Sequence, residues 1–231
     1  MSQDDQTDVI DIKSEGKGEE KRTRINIIKG DPSRRKSNSL ADQLKKILNF
    51  YKMLMEKYPP VAVKSITAAL ITFIANIVSQ KFIKKKTEID WNSVINFTIT
   101  GGCSSACSHF WYGFLDNIMD YLKEIKSLRP IVCNPTIEKF ALVPTLIDQA
   151  VYAPFINAFY IVVLAFVESR AFVVDKALAN LKRDFYTTLK SGYMLWPLAT
   201  IVVLSSSPPD LVVLFFNIIG FFWSLYLAKT L

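Results

Sequence analysis

Asp148 and His109 stand inside long apolar stretches of the sequence, and Gln149, Asn76, Gln80 and Asn157 share that setting. An ionisable group at membrane depth costs a few kcal/mol or more unless it is paired or wetted, so it faces a bundle interior or a water-filled path. These six side chains are therefore candidates for the polar lining of a solute pathway. The other reading is a satisfied structural network, for example a hydrogen bond between Asp148 and a Trp or Tyr of another helix. Small membrane bundles use such bonds in assembly, so both readings stand.

Catalysis is harder to build from these residues. The chain holds 1 His, and few charged groups fall within its apolar stretches, so no nucleophile, base and orienting group can be assembled. No enzyme activity and no cofactor are expected. Cys103, Cys107 and His109 do not suggest a metal centre either, because a helix turns about 100° per residue and carries His109 away from the two thiols. With 3 Cys in all, two of them in an apolar segment, a disulfide framework is not expected.

One run is distinctive for size rather than charge. Gly101-Gly102-Cys103-Ser104-Ser105-Ala106-Cys107-Ser108 is small throughout. No Gly-Lys-Ser/Thr follows, so it is no phosphate loop. In lipid, small residues spaced by four let helix backbones approach closely. Close helix packing is the expectation for this run.

The elements that must carry these residues are helices in lipid. Half of the chain is hydrophobic (50%), with a mean hydropathy of +0.21. Charges concentrate in residues 1–64 and in short connections, which leaves later segments without the polar outer face that a water-soluble helix needs. Ser65 to Gln80 is uncharged and extends to Val61 and Ile83 if Lys64 snorkels. Trp91 to Leu115 has no Asp, Glu, Lys or Arg. Phe140 to Val167 has Asp148 alone, and Ser191 to Ala228 is broken only around Ser205–Asp210. Since roughly 20 apolar residues of helix cross a bilayer, the expectation is an all-α, multi-span transmembrane bundle over 61–228 with four spans. Tyr193–Leu204 counts as a fifth if a short or re-entrant helix is included.

Residues 1–39 are polar and poor in aromatic residues, and are expected to be disordered. Their acidic residues argue against a cleaved mitochondrial presequence, and no apolar run makes a secretory signal. Over 40–58, Leu40, Leu44, Ile47, Leu48, Tyr51, Leu54, Met55 and Tyr58 recur at helical spacing, which predicts an amphipathic helix that Pro59 and Pro60 end. The net charge of +7 lies on residues that flank apolar segments, as lipid-headgroup anchors do. Membrane lipid is thus the expected partner and direct nucleic-acid binding is not expected. Basic residues on both sides of the first span leave the orientation open.

The C-terminal third carries a motif. Trp196-Pro197, Pro208, then Trp223 with Tyr226-Leu227 follow one another at the spacing of a known signature. His109-Phe110-Trp111-Tyr112 with Leu115-Asp116, Asp148-Gln149 with Ala153-Pro154, and Tyr51 with Pro59 and Ser79-Gln80 agree with it. Over about residues 45–228 the chain resembles the Mpv-seventeen/PMP-twenty-two family of small mitochondrial and peroxisomal membrane proteins. It departs from that pattern at Asn76, Ser105-Ala106, Thr200, Val203 and Val212; at the last three the family carries Gln, Asn and Arg. The resemblance implies a four-span bundle in the mitochondrial inner membrane, or alternatively the peroxisomal membrane, with a channel-like, weakly selective role in moving small solutes. The rival class is a non-transporting membrane scaffold. The solute is not identified, and a homo-oligomer is an open expectation. From the residues themselves, Trp196, Trp223 and Tyr226 fit interfacial positioning and Pro197 fits the first turn of a helix.

Overall fold

Proline punctuation sets where the helices begin. The computed structural model describes residues 32–230 together with the strands β1 (Val9–Ile10) and β2 (Ile25–Asn26). Apart from that two-residue antiparallel pair, the described secondary structure is helical. Helix α1 covers Pro32–Lys57, starting ahead of Leu40, and the rest of the 1–39 tail falls almost wholly outside the described residues. Pro59 then caps α2 (Pro60–Val78), with Pro60 in the first turn, where a missing N–H costs nothing. A π-turn at Ser79–Ile83 continues α2, so that one apolar rod runs from Pro60 to Ile83.

Helix α3 (Trp91–Glu124) is 34 residues long and begins on a side-chain cap, Asp90 Oδ1 accepting from Ser93 N at 3.1 Å. At 1.5 Å per residue it reaches about 50 Å, well beyond a bilayer core. It returns antiparallel along α2. The small-residue run lies on this seam. A methyl group on Gly101 would stand 2.6 Å from Thr72 Cγ2, and one on Gly102 would stand 3.5 Å from Ala69 Cβ. Ser105 Oγ donates to Lys64 O at 3.2 Å across the same seam. Thr72 donates its hydroxyl to its own helix, at Ala68 O (2.8 Å), and its methyl and hydroxyl together fill the space that Gly101 leaves open.

Short helices α4 (Arg129–Val132) and α5 (Pro135–Lys139) lead to α6 (Leu142–Ile147), which a second π-turn at Asp148–Tyr152 joins to α7 (Ala153–Ser169). Pro154 accounts for that turn. Its ring would clash with the carbonyl four residues earlier in an α-helix, and widening one turn to π relieves the clash. After Arg170, left-handed at φ 51, α8 (Val174–Gly192) runs back along α7. Helix α9 (Trp196–Ser206) follows, with Pro197 in its first turn. A 3-10 turn at Pro209–Leu211 then opens α10 (Val212–Thr230), which packs on α2 and α3.

Among the described residues, three rods are long and apolar enough to cross a bilayer: Pro60–Ile83, Leu142–Ser169 and Pro209–Tyr226. Within an apolar stretch of 18 residues in each, only 22%, 17% and 22% is buried inside the protein, so most of that stretch presents apolar side chains outward. Ile66, Leu70 and Ile74 on α2, and Ile95, Ile99, Phe110 and Phe114 on α3, are exposed. Trp91–Leu115, expected to span from its lack of charge, is not among the three rods, because Asn92, Asn96 and the serine-rich run dilute its hydropathy. Helix α9 has 11 residues and rises about 16 Å, half of a hydrocarbon core.

The seam makes a measurable claim. Gly101→Ala forces Thr72 and the α2 backbone outward, an overpacking worth about 1–3 kcal/mol, and lowers the thermal midpoint in detergent. Gly113→Ala, where nothing lies within 4 Å, is neutral or slightly stabilising. Equal midpoints for the two variants would contradict the seam.

Candidate functional site

The polar candidates resolve into separate sites at different depths along α2, α3 and α6–α7. Asp148, 3% exposed, lies on the second π-turn. Its Oδ1 accepts from Trp111 Nε1 of α3 at 2.9 Å, and its Oδ2 from Gln149 Nε2 at 2.9 Å. Gln149 Nε2 also reaches Thr200 Oγ1 of α9 at 3.1 Å, and Thr200 Oγ1 stands 3.5 Å from Asp148 Oδ2. The Trp111 ring stacks on Tyr152, centroids 4.9 Å apart and 5° from parallel, and Tyr152 shares a 2.7 Å hydrogen bond with Ser108. Three helices thus meet on one carboxylate.

The π-turn explains a further bond. Within it Ala153 N donates to Asp148 O, five residues back. The next carbonyl in that register, Gln149 O, would look to the nitrogen of Pro154, which carries no hydrogen. Tyr193 supplies the missing donor, its hydroxyl meeting Gln149 O at 2.9 Å. This bond pins the C-terminal end of α8 to the level of Asp148.

Gln80 and Asn76 belong elsewhere. Gln80, 3% exposed, donates to Asn76 Oδ1 at 2.7 Å and to Asp90 O at 3.1 Å, and accepts from Asp90 N at 2.7 Å. Asn76 Nδ2 reaches Ser93 Oγ at 3.4 Å. The pair clamps the α2–α3 connection. Asn157 donates to Ala153 O of its own helix at 2.7 Å. A single polar interior containing Asn76, Gln80, Asn157, Asp148 and Gln149 is therefore not what forms. Gln80 sits at the end of α2 where α3 begins, whereas Trp111, the partner of Asp148, lies five helical turns further along α3 by the usual pitch of about 3.6 residues.

His109 pairs with a residue that sequence reasoning missed. Lys64 is 7% exposed, and its Nζ lies 3.3 Å from His109 Nδ1. The expectation that Lys64 snorkels toward headgroups is not met, since the amine turns inward across the seam. The signal was available: Lys64, Ala68 and Thr72 recur every four residues and continue to Ala75, the small face that α3 covers. Cys103 is exposed and Cys107 half-buried, both free thiols. Among the described residues no group of three or more His, Cys, Asp or Glu gathers into a metal site.

The signature residues are wedges and anchors. Trp196 packs between Gly192, where a methyl group would stand 3.1 Å from its Cδ1, and Gly220 on α10 at 3.9 Å. It also meets Phe216 at 6.3 Å. Pro208 caps the 3-10 turn ahead of α10, and Trp223 stacks on Tyr226 at 5.4 Å. Leu227 falls on α10, its side chain outside the described residues.

A second unforeseen feature is the outer face of α8. Leu181, Lys182, Phe185 and Tyr186 share a surface groove with Ala158 midway along α7. With the Tyr193 bond, this runs α8 beside nearly the whole of α7. Its outward side chains include Asp175, Lys176, Lys182, Arg183, Tyr186, Thr187 and Lys190, all exposed.

Comparison with known proteins gives this arrangement its context. The Mpv17 / PMP22 family profile matches residues 165–228. PXMP2/4 family protein 3 of Dictyostelium discoideum is 34% identical over 193 residues, covering 83% of this chain and 95% of that protein. The chain belongs to the Mpv17 / PMP22 family. Protein SYM1 of Yarrowia lipolytica is 28% identical over 181 residues, 78% of each chain. Mitochondrial inner membrane protein Mpv17 of Caenorhabditis briggsae is 30% identical over 82 residues, 36% of this chain and 44% of that one. No solved structure matches.

For this member of the Mpv17 / PMP22 family the departures fall at packed positions. Thr200, Val203 and Val212 are 1%, 3% and 6% exposed. Thr200 keeps a hydroxyl in the Asp148 network, while Val203 and Val212 add apolar packing.

The Asp148 junction is testable. Trp111→Phe removes a buried hydrogen bond to a carboxylate, worth about 1.5–3 kcal/mol. Its thermal midpoint in detergent should fall well below that of Phe110→Leu, which alters an outward side chain. Matching midpoints would show that the bond carries no stability.

Proposed function

We propose that this chain is a channel-like, weakly selective pore for small solutes or metabolites in an organelle membrane. The observation that carries the reading is the charged outer face of α8 beside the apolar rod Leu142–Ser169. Hydrocarbon does not accommodate such a face, so it borders water or protein. In this reading α2, α3, α6–α7 and α10 make four spans. Helix α3 crosses despite its serines, because the α2 seam and α7 cover its polar side. Helices α8 and α9 together follow a further path through the bilayer, with α9 too short to cross alone. One helix face is a wall rather than a tube, so copies of the chain supply the remaining walls.

The membrane is that of the mitochondrion's interior in preference to the peroxisome, a choice supported by the relative named Mitochondrial inner membrane protein Mpv17. A tagged copy imaged against markers of both organelles should coincide with the inner-membrane marker; coincidence with the peroxisomal one reverses the choice.

A scaffold without transport is favoured by one observation: Asp148, Gln80 and His109 all have partners within the chain, as structural groups do. Planar bilayers separate the two readings. Purified protein reconstituted at known density should give discrete current steps, absent from a preparation denatured before reconstitution. Continued silence at high protein density would leave the scaffold.

A further inference from the structure

The charge on α8 is arranged as well as exposed. At about 100° per residue, Lys182, Lys190, Arg183 and Lys176 fall within about 120° of its circumference. Arg183 is neutralised by its neighbour, since Asp184 accepts from both Nε and Nη2 at 2.7 Å. Asp175 opposes Lys176 near the start of the helix. Lys182 and Lys190 have no ion pair among the described residues, and both are exposed. Ala177, Leu181 and Phe185 turn toward the bundle, and Lys182 and Tyr186 border the groove that α8 shares with Ala158 of α7. A helix of 19 residues rises about 28 Å, close to the thickness of a hydrocarbon core. Its basic face therefore extends along the length of the apolar rod Leu142–Ser169, on which α8 packs, rather than sitting at one end of it.

We infer that Lys182 and Lys190, with Lys176 near the start of α8, line the aqueous path and make it prefer anionic solutes, those bearing carboxylate or phosphate groups. The inference rests on the pore reading above and adds to it the lining residues and the class of solute. Fixed cations beside low-dielectric walls raise the local concentration of anions and lower that of cations, an effect that salt screens. Among the described residues Lys182 and Lys190 carry no ion-pair partner to be stripped away before a solute is met. Tyr186 and Thr187 on the same face are exposed and add neutral hydroxyls to the wall. The Asp148 carboxylate does not oppose this preference, because it is buried and occupied by Trp111 and Gln149.

The test is reversal-potential recording in planar bilayers under a potassium chloride gradient, using the full chain. Wild type should pass chloride in preference to potassium. Lys182→Gln with Lys190→Gln should lower the chloride-to-potassium permeability ratio by about threefold or more at low salt, with less effect at high salt. Lys123→Gln, outside this face, should leave the ratio unchanged. As a readout that does not rely on those variants folding, Ala179→Cys is made in a background with Cys103, Cys107 and Cys133 changed to Ser. Ala179 is exposed on the same arc. A negatively charged methanethiosulfonate reagent should modify the introduced thiol and reduce chloride current. A silent wild type overturns the pore reading and this inference together. A conducting wild type that prefers potassium, or whose ratio ignores the glutamines while the thiol of the Ala179→Cys variant goes unmodified, overturns the inference alone and leaves the pore standing.

Discussion

Hydrocarbon offers no hydrogen bonds, so every polar group carried into it must find its partner within the protein or along a wetted path. That constraint organises this chain. The backbone of each apolar rod satisfies itself as helix. Where it cannot, a side chain completes it: Tyr193 donates to the carbonyl that Pro154 leaves unmet, and Asp90 caps the start of α3. Several side chains obey the same rule, while Ser104 Oγ, Thr145 Oγ1 and Asn217 Nδ2 lie buried without a hydrogen-bond partner. Gln80 closes on the backbone of Asp90, Lys64 turns to His109, and Asp148 is held by Trp111 and Gln149.

These bonds also decide how the rods are arranged. Apolar side chains gain little by leaving lipid for each other, so association rests on close contact and on polar bonds across helices. Gly101 against Thr72 supplies the contact between α2 and α3, and the Asp148 junction ties α3 to α6–α7 and α9. The π-turn places Asp148 and Gln149 at that junction, and Pro154 is the reason for the turn. A proline that interrupts a helix is thus the source of a binding geometry between helices. Beside this network, the exposed charges of α8 are the exception, and they are what motivates the proposed pore.

Much of this was legible in the sequence because apolar length, prolines and small residues act locally. The first turn of α9 follows from Pro197, and the seam from the run Gly101–Ser108. The bond from a Trp to Asp148 could be named as one alternative, since a buried carboxylate needs a donor. The partner of His109 could not be read with the same ease: Lys64 looked like a headgroup anchor, and only its place on the Ala68–Thr72–Ala75 face says otherwise. The grouping of Asn76, Gln80, Asn157 and Asp148 into one interior failed because depth along a helix depends on pairing register between helices, which spacing within one segment does not contain. The role of α8 was hidden for the opposite reason. Its charges read as a connecting loop until its packing along α7 placed them beside an apolar rod.

The most direct test of the account is the solvent that each face meets in a liposome. Nitroxide labels at Leu70 on the outward side of α2 and at Thr187 on the basic side of α8, each introduced singly without the native cysteines, report this by collision with oxygen or with a water-soluble nickel complex. Leu70 should collide with oxygen and be shielded from nickel, while Thr187 should be open to nickel. Nickel access at Leu70 would contradict lipid as the solvent of the apolar rods, and oxygen-rich shielding at Thr187 would contradict a wetted α8.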